Sequence, residues 1–202
     1  MSELERTWRR YVEVLQVHAP ASAASIRPPA SPDTRTAAFG EHCLADFELV
    51  NEWFSLHDGS TTGDAGQLLP KQWLLSATEA VSYSKIIADG WTHHKPINGP
   101  AEAGVSSLTW CPEYLLIAYN SNNDGLFLDL RAGGRHGLAA HWDPVDSDSS
   151  LNDGDGNLLP DHLEQLAEAV LSGTPVSGFR PVIANEALSW EFAGVLPGQG
   201  SH

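Results

Sequence analysis

The sequence predicts an α+β fold: one domain on an antiparallel or mixed sheet of about five or six strands, flanked by helices from both ends of the chain. Three observations predict it. First, residues 107–142 hold three short apolar runs separated by turn chemistry: Leu115–Tyr119, Leu126–Leu130 and Gly137–Trp142. Asn122-Asn123-Asp124-Gly125 joins the first two, and Asp-Gly is a strong hairpin signal because Gly adopts positive φ without steric cost. Gly133-Gly134 serves the second connection. Together they read as a three-stranded antiparallel meander. Second, apolar residues recur at helical spacing near both ends: Leu4, Trp8, Tyr11, Val12 and Leu15, then Leu163, Leu166, Ala167, Val170 and Leu171. Third, 202 residues at 42% hydrophobic content are enough for one substantial core.

The elements follow in order. Ser2-x-x-Glu5 is a capping box that starts a first helix almost at residue 1, and Pro20 ends it. The helix is expected to pack on its own domain, with pairing to a second chain as the alternative. Residues 19–32 are rich in Ala, Ser and Pro and read as a linker. Ser31-Pro32 opens a short helix to about His42, and Asp46 caps another through His57, stopped by Gly59. His57 is read as a helix-terminal histidine stabilised by the dipole. Leu68–Leu75 reads as a short strand, and Ser76-x-x-Glu79 is a second capping box for a helix ending at Gly90. Residues 91–106 form a long loop before the meander. Pro160 opens a last helix that stops at Gly173, and residues 179–192 form a hairpin about Ala184-Asn185-Glu186. The organisation is therefore a helix at 1–18, a linker at 19–32, the domain at 33–192 and a tail at 193–202.

Net charge is −15. Nucleic acid and anionic membrane surfaces are poor partners for such a chain, whereas a basic protein is steered toward it. The charge is concentrated: no Lys or Arg occurs between Arg135 and Arg180, an interval holding Asp143, Asp146, Asp148, Asp153, Asp155, Asp161, Glu164 and Glu168. Cys43 and Cys111 stand in no metal spacing and read as reduced thiols. Residues 1–20 carry charges throughout and lack an apolar block, so a cytoplasmic location is expected.

Few motifs point to chemistry. Asp153, Asp155, Asn157, Asp161 and Glu164 fall at positions 1, 3, 5, 9 and 12 of a calcium loop, but Leu158 replaces its turn Gly and Pro160 interrupts its pairing. Calcium is a minor alternative to an acidic loop feeding a helix N-terminus. His93-His94 are adjacent and point apart, so they form no chelate. There is no Gly-x-Ser-x-Gly elbow, phosphate loop, His-Glu-x-x-His or paired cysteine set. The expectation is a protein that is not an enzyme and takes no cofactor.

The order of Trp110-x-Pro112, an apolar strand ending near Asn120, Asp124-Gly125, Leu128-Asp129-Leu130, Gly137 and Trp142 resembles the SUKH superfamily. So does Leu44 to Gly59 with its His57-Asp58-Gly59 turn, although Ala45 stands where the family has Pro. The resemblance spans residues 24 to 192 and contains no catalytic signature. That superfamily includes fungal cell-wall assembly regulators and many bacterial immunity proteins. It implies a protein-binding domain: an immunity protein that neutralises a basic, nucleic-acid-targeting toxin domain, or, alternatively, a regulatory adaptor in cell-wall synthesis and signalling. The expected contact surface is the open sheet face and its rim: Asp124, Asp129, Arg131, Trp142, Asp143, Asp146 and Asp148. The family pattern reaches only Asp124, Asp129 and Trp142, and Asp129 has a structural alternative, tying down a loop. Either a monomer or a dimer is compatible with these features.

Overall fold

A computed structural model describes residues 1–40, 48–91, 93, 101–151 and 156–194. Among the described residues six α-helices and seven strands follow one another as α1 (Glu3–His18), α2 (Pro20–Ala24), α3 (Pro32–Phe39), α4 (Glu48–Leu56), β1 (Trp73–Leu74), α5 (Ala77–Trp91), β2 (Tyr114–Tyr119), β3 (Gly125–Asp129), β4 (Leu138–Trp142), β5 (Asn157–Leu158), α6 (Leu159–Ser172), β6 (Phe179–Ala184) and β7 (Ala187–Phe192). Five strands form an antiparallel sheet in the order β1-β2-β3-β4-β5, and β6-β7 form a separate hairpin. This is the expected α+β architecture, with the meander at its centre.

Local chemistry explains most boundaries. The Ser2 hydroxyl accepts from the Glu5 amide at 3.0 Å and caps α1. Ser31 does the same for α3 through Thr34, with Pro32 in the first turn. Ser76 and Glu79 form a reciprocal box: the Ser76 hydroxyl accepts from the Glu79 amide at 3.2 Å, and the Glu79 carboxylate accepts from the Ser76 amide at 2.8 Å. Gly173, at φ +74°, closes α6 in the left-handed conformation. In the final hairpin Asn185 and Glu186 both have positive φ, which matches the twist of the flanking strands.

The Asp124-Gly125 turn works differently from the expectation. Its positive-φ residue is Asn123 at +68°. Gly125 is already in β3, and a Cβ there would stand 2.4 Å from Leu116 Cδ1 and 2.9 Å from the Ala118 carbonyl oxygen. Close approach of β2, which bulges between Leu116 and Ala118, is what requires glycine.

Both faces of the sheet are covered. Pairing of Phe127 with Ala140, Gly125 with Trp142 and Tyr114 with Asp129 puts these residues on one face. The end of α5 and residues 101–111 lie over it, where Trp91 and Trp110 meet Trp142 edge-on at 5.3 and 5.0 Å. The other face, with Leu126, Ala139 and His141, looks toward α6 and the hairpin. The expected open face is therefore absent. Asp129, Arg131 and Trp142 are buried in the interior.

Residues 19–32 are not a linker. They include α2, and Ala19, Ser22, Ser25 and Ala30 are buried. The Ala21 amide donates to the Glu186 carbonyl at 2.9 Å, and the Ser22 hydroxyl accepts from the Leu188 amide at 2.8 Å. The first helix packs on its own domain: α1 lies against α6 and α4, with Trp8 edge-on to Trp53 at 5.2 Å. His57 is also corrected. It is fully buried between Trp8 and Trp53, its Nδ1 accepts from the Gly59 amide at 2.8 Å, and burial, then Arg27, lowers its pKa to about 3. It is a neutral core residue rather than a helix-end cation. The expected strand at 68–75 shrinks to Trp73–Leu74. Cys43, Asp46, His94 and the tail from 195 fall outside the described residues; Cys111 is a buried free thiol.

Candidate functional site

A densely bonded polar network sits under the covered face. The Asp129 carboxylate accepts from Arg131 Nε at 2.8 Å and Nη2 at 2.7 Å, and from the Gly104 amide at 2.8 Å. Arg131 Nη2 also donates to the Val105 carbonyl at 2.8 Å, and its guanidinium lies 4.9 Å from the Tyr114 ring centroid. Burial alone would lower the Arg131 pKa, but the Asp129 bonds raise it overall. Next to this pair, Asp148 accepts from the Ser106 hydroxyl at 2.8 Å, the Ser107 amide at 2.9 Å, the Leu108 amide at 2.8 Å and the Tyr114 hydroxyl at 2.7 Å.

Every carboxylate oxygen in this network is satisfied, and Asp129 and Asp148 are fully buried. Such groups hold loops; they do not meet a partner. Cys111 lies beside them, and burial raises its thiol pKa, so it is not an activated nucleophile. The network is a lock on residues 104–108. Asp129 takes the structural role that was its alternative reading, while Arg131, Trp142 and Asp148 leave the expected contact set because none is accessible.

Three expected contact residues remain at the surface, and the fold gathers them. Gly125 pairs with Trp142, which places the β2–β3 turn beside the segment that follows β4. The Asp124 and Asp143 carboxyl groups meet there side by side. Residues 143–147 close into a tight turn: the Asp143 amide donates to the Ser147 carbonyl at 3.0 Å, and the Ser147 amide returns to the Asp143 carbonyl at 2.7 Å. Asp143 Oδ1 accepts from the amides of Val145 at 2.6 Å and Asp146 at 3.0 Å. Partial burial pushes the Asp143 pKa up, but these donors outweigh it and the net shift is down. Asp146 is exposed, and Val145 at the apex is 84% exposed. Asp148, one residue past the turn, pins its base to the core.

The sequence could not foresee this division of labour. Asp143, Asp146 and Asp148 look alike in one acidic run. What separates them is the loop at 106–108, some forty positions away, whose amides face Asp148. Val145 was missed because a single apolar residue in an acidic stretch carries no periodic signal.

The calcium reading loses its bidentate ligand to other work: Glu164 pairs with Arg10 of α1. Asp153 and Asp155 lie outside the described residues. Asn157 donates its Nδ2 to Gln165 at 3.2 Å, and Asp161 is exposed on the first turn of α6. Among the described residues no group of His, Cys, Asp and Glu gathers to hold a metal ion. No described helix is long and apolar enough to cross a membrane. In comparisons with protein-family models and with curated proteins, nothing matches this chain.

Proposed function

We propose that this chain is a non-catalytic protein-binding domain that captures a basic partner through the Asp143–Ser147 turn and Asp124, acting as an immunity protein that neutralises a cognate nucleic-acid-targeting toxin domain. The observation that carries the reading is Val145, an apolar side chain held 84% exposed at the apex of a pinned turn and flanked by Asp143 and Asp146, with Asp124 against Asp143. An apolar tip surrounded by carboxylates suits a partner with an apolar pocket in a cationic surface. Because Asp148 already fixes the turn, little ordering entropy is lost on binding. The net charge of −15 steers a basic partner at long range, and toxins that act on nucleic acids carry basic clefts. The SUKH resemblance points the same way. The adaptor alternative, implied by the fungal members of the resembled superfamily, would have been suited by a free N-terminal helix and linker, but both are packed into the domain.

Affinity capture at low and moderate salt, followed by kinetics on the purified pair, tests the proposal. One stoichiometric basic partner is expected, with association slowed about tenfold or more by Asp146→Lys at low salt. Val145→Ser should speed dissociation. A partner whose rates ignore both substitutions binds elsewhere, and the reading fails.

A further inference from the structure

A cleft of about 370 Å³ opens between β4–β5, the first turns of α6 and the hairpin. That volume lies within the range of small-molecule sites, about 300–1,000 Å³. Leu126 and Ala139 form its apolar floor and Phe179 one wall. Its hydrogen-bonding groups come from four separate parts of the chain, among them Gln72, Asn157, His162 and Gln165.

Two of these carry the argument. Gln72 is 5% exposed and His162 7% exposed, yet among the described residues neither side chain has a hydrogen-bond or ion-pair partner. Their polar atoms are not sealed in protein either; they open on the cleft. Groups held by the core that reach a cleft without a protein partner are available to whatever enters it, where a Leu at the same place would offer nothing. At the mouth, Asn157 Nδ2 donates to Gln165 Oε1 at 3.2 Å, which leaves the Asn157 carbonyl and the Gln165 amino group for a ligand.

The lining also defines what would bind. None of the described residues around the cleft is Asp, Glu, Lys or Arg, in a chain with net charge −15. Burial lowers the His162 pKa to about 4, so at neutral pH the ring offers one N–H donor and one nitrogen acceptor without charge. Within the described lining no Asp, Glu, Lys or Arg would repay a charged ligand for its lost hydration, and the two cations behind it, Lys71 at 5.2 Å from the Phe179 ring centroid and Arg135 on the Gly156 carbonyl, are already engaged. An uncharged ligand with adjacent donors and acceptors would lose little, and a ring would lie against Phe179 and the apolar floor.

We propose that this cleft binds a small uncharged ring molecule carrying adjacent hydrogen-bond donors and acceptors, with Gln72 and His162 as the inner contacts and the Asn157–Gln165 pair at the mouth. Neutral sugars and nucleosides share that chemistry. The site is separate from the Asp143–Ser147 turn and stands whether or not that turn binds a protein.

The test is a titration of the full-length ¹⁵N-labelled chain with two panels at millimolar concentration. One holds glucose, galactose and N-acetylglucosamine; the other holds uridine and adenosine. Glucose 6-phosphate and uridine monophosphate are the charged counterparts. At least one neutral compound should shift the amide signals of Gln72, Asn157, His162 and Gln165, and the panel that responds identifies the source. Its phosphorylated counterpart should bind about tenfold or more weakly, and Gln72→Leu should cost about tenfold in affinity. Gln165→Ala, on the exposed side of α6, should weaken binding too and keeps the test valid if Gln72→Leu does not fold. Silence across both panels, equal binding of the phosphorylated compound, or shifts that survive the folded variants would overturn the proposal.

Discussion

Removing Arg131 would leave the Asp129 carboxylate dry and unpaired. Arg131→Ala is therefore expected to cost about 3–5 kcal/mol in urea denaturation. Replacing both partners, Asp129→Leu with Arg131→Met, should cost less than Arg131→Ala alone, since no orphaned charge remains. A double variant that is worse than the single would mean that the pair is net stabilising in its own right. Asp148 has more donors than either and no ion partner, so Asp148→Ala is expected to cost about 2–4 kcal/mol. It should also slow capture of a basic partner by loosening the turn, whereas Asp146→Lys should leave the unfolding free energy within about 0.5 kcal/mol of the parent value. Strand alternation, read from the sequence, puts Phe127, Asp129 and Arg131 on one face. It did not say that the face is closed, because the cover comes from Trp91 and residues 101–111, whose long loop has no periodicity to read.

Among the elements, caps and turns were the most legible, because they depend on residues within a few positions of one another. The capping boxes illustrate both success and its limit. Ser76 and Glu79 bond reciprocally, and Glu79 also meets Arg27 at 2.8 Å. Glu5, by contrast, turns to Arg9 at 2.6 Å, a choice that local pattern cannot rank. Glu79→Ala should cost about 1 kcal/mol, at the modest end because the pair is partly open to solvent. Partial burial raises the Glu79 pKa, but its bonds to Ser76 and Arg27 bring the net value below the ordinary 4.5. The folded form thus holds its proton less tightly than the unfolded chain. The advantage over Glu79→Ala should be complete above pH 4.5 and shrink as the pH falls through the lowered value. An advantage that persists undiminished at pH 2 would contradict the assignment. Gly125→Ala is a test of packing rather than of backbone conformation. Its Cβ has no room beside Leu116 and the Ala118 carbonyl, so a loss of about 1–3 kcal/mol is expected, where a turn glycine replaced without a clash would cost less. The linker misreading has a similar origin. Ala- and Pro-rich composition is what solvent-exposed spacers use, but Ala19 and Ser22 are small because α2 lies close to the hairpin.

At the scale of the whole molecule, acid should unfold the chain before its carboxylates titrate. His57 and His162 are neutral in the fold, with values of about 3 and about 4, against an ordinary 6.5. The unfolded chain takes up these protons first. Stability is then complete above pH 6.5 and falls as the pH drops toward the folded values, by up to about 1.4 kcal/mol per pH unit for each histidine. A denaturation series from pH 7 to 5 should show that slope, reduced in His162→Gln. A flat profile would place water or a partner on these rings. Neither histidine was legible as a core residue, because burial is a property of the assembled interior and not of the neighbours in sequence.

The contact of α1 with α6 and of α2 with the final hairpin has a consequence for synthesis. The apolar stripe of Trp8, Tyr11 and Leu15 is translated well before part of its cover, residues 159–190. At about 5–20 residues per second, that stripe waits for many seconds with no native surface against part of its apolar face. The nascent chain must be kept from self-association throughout this interval. In a fold that packs an early helix on much later elements, the net charge of −15 serves to hold nascent chains apart in the meantime.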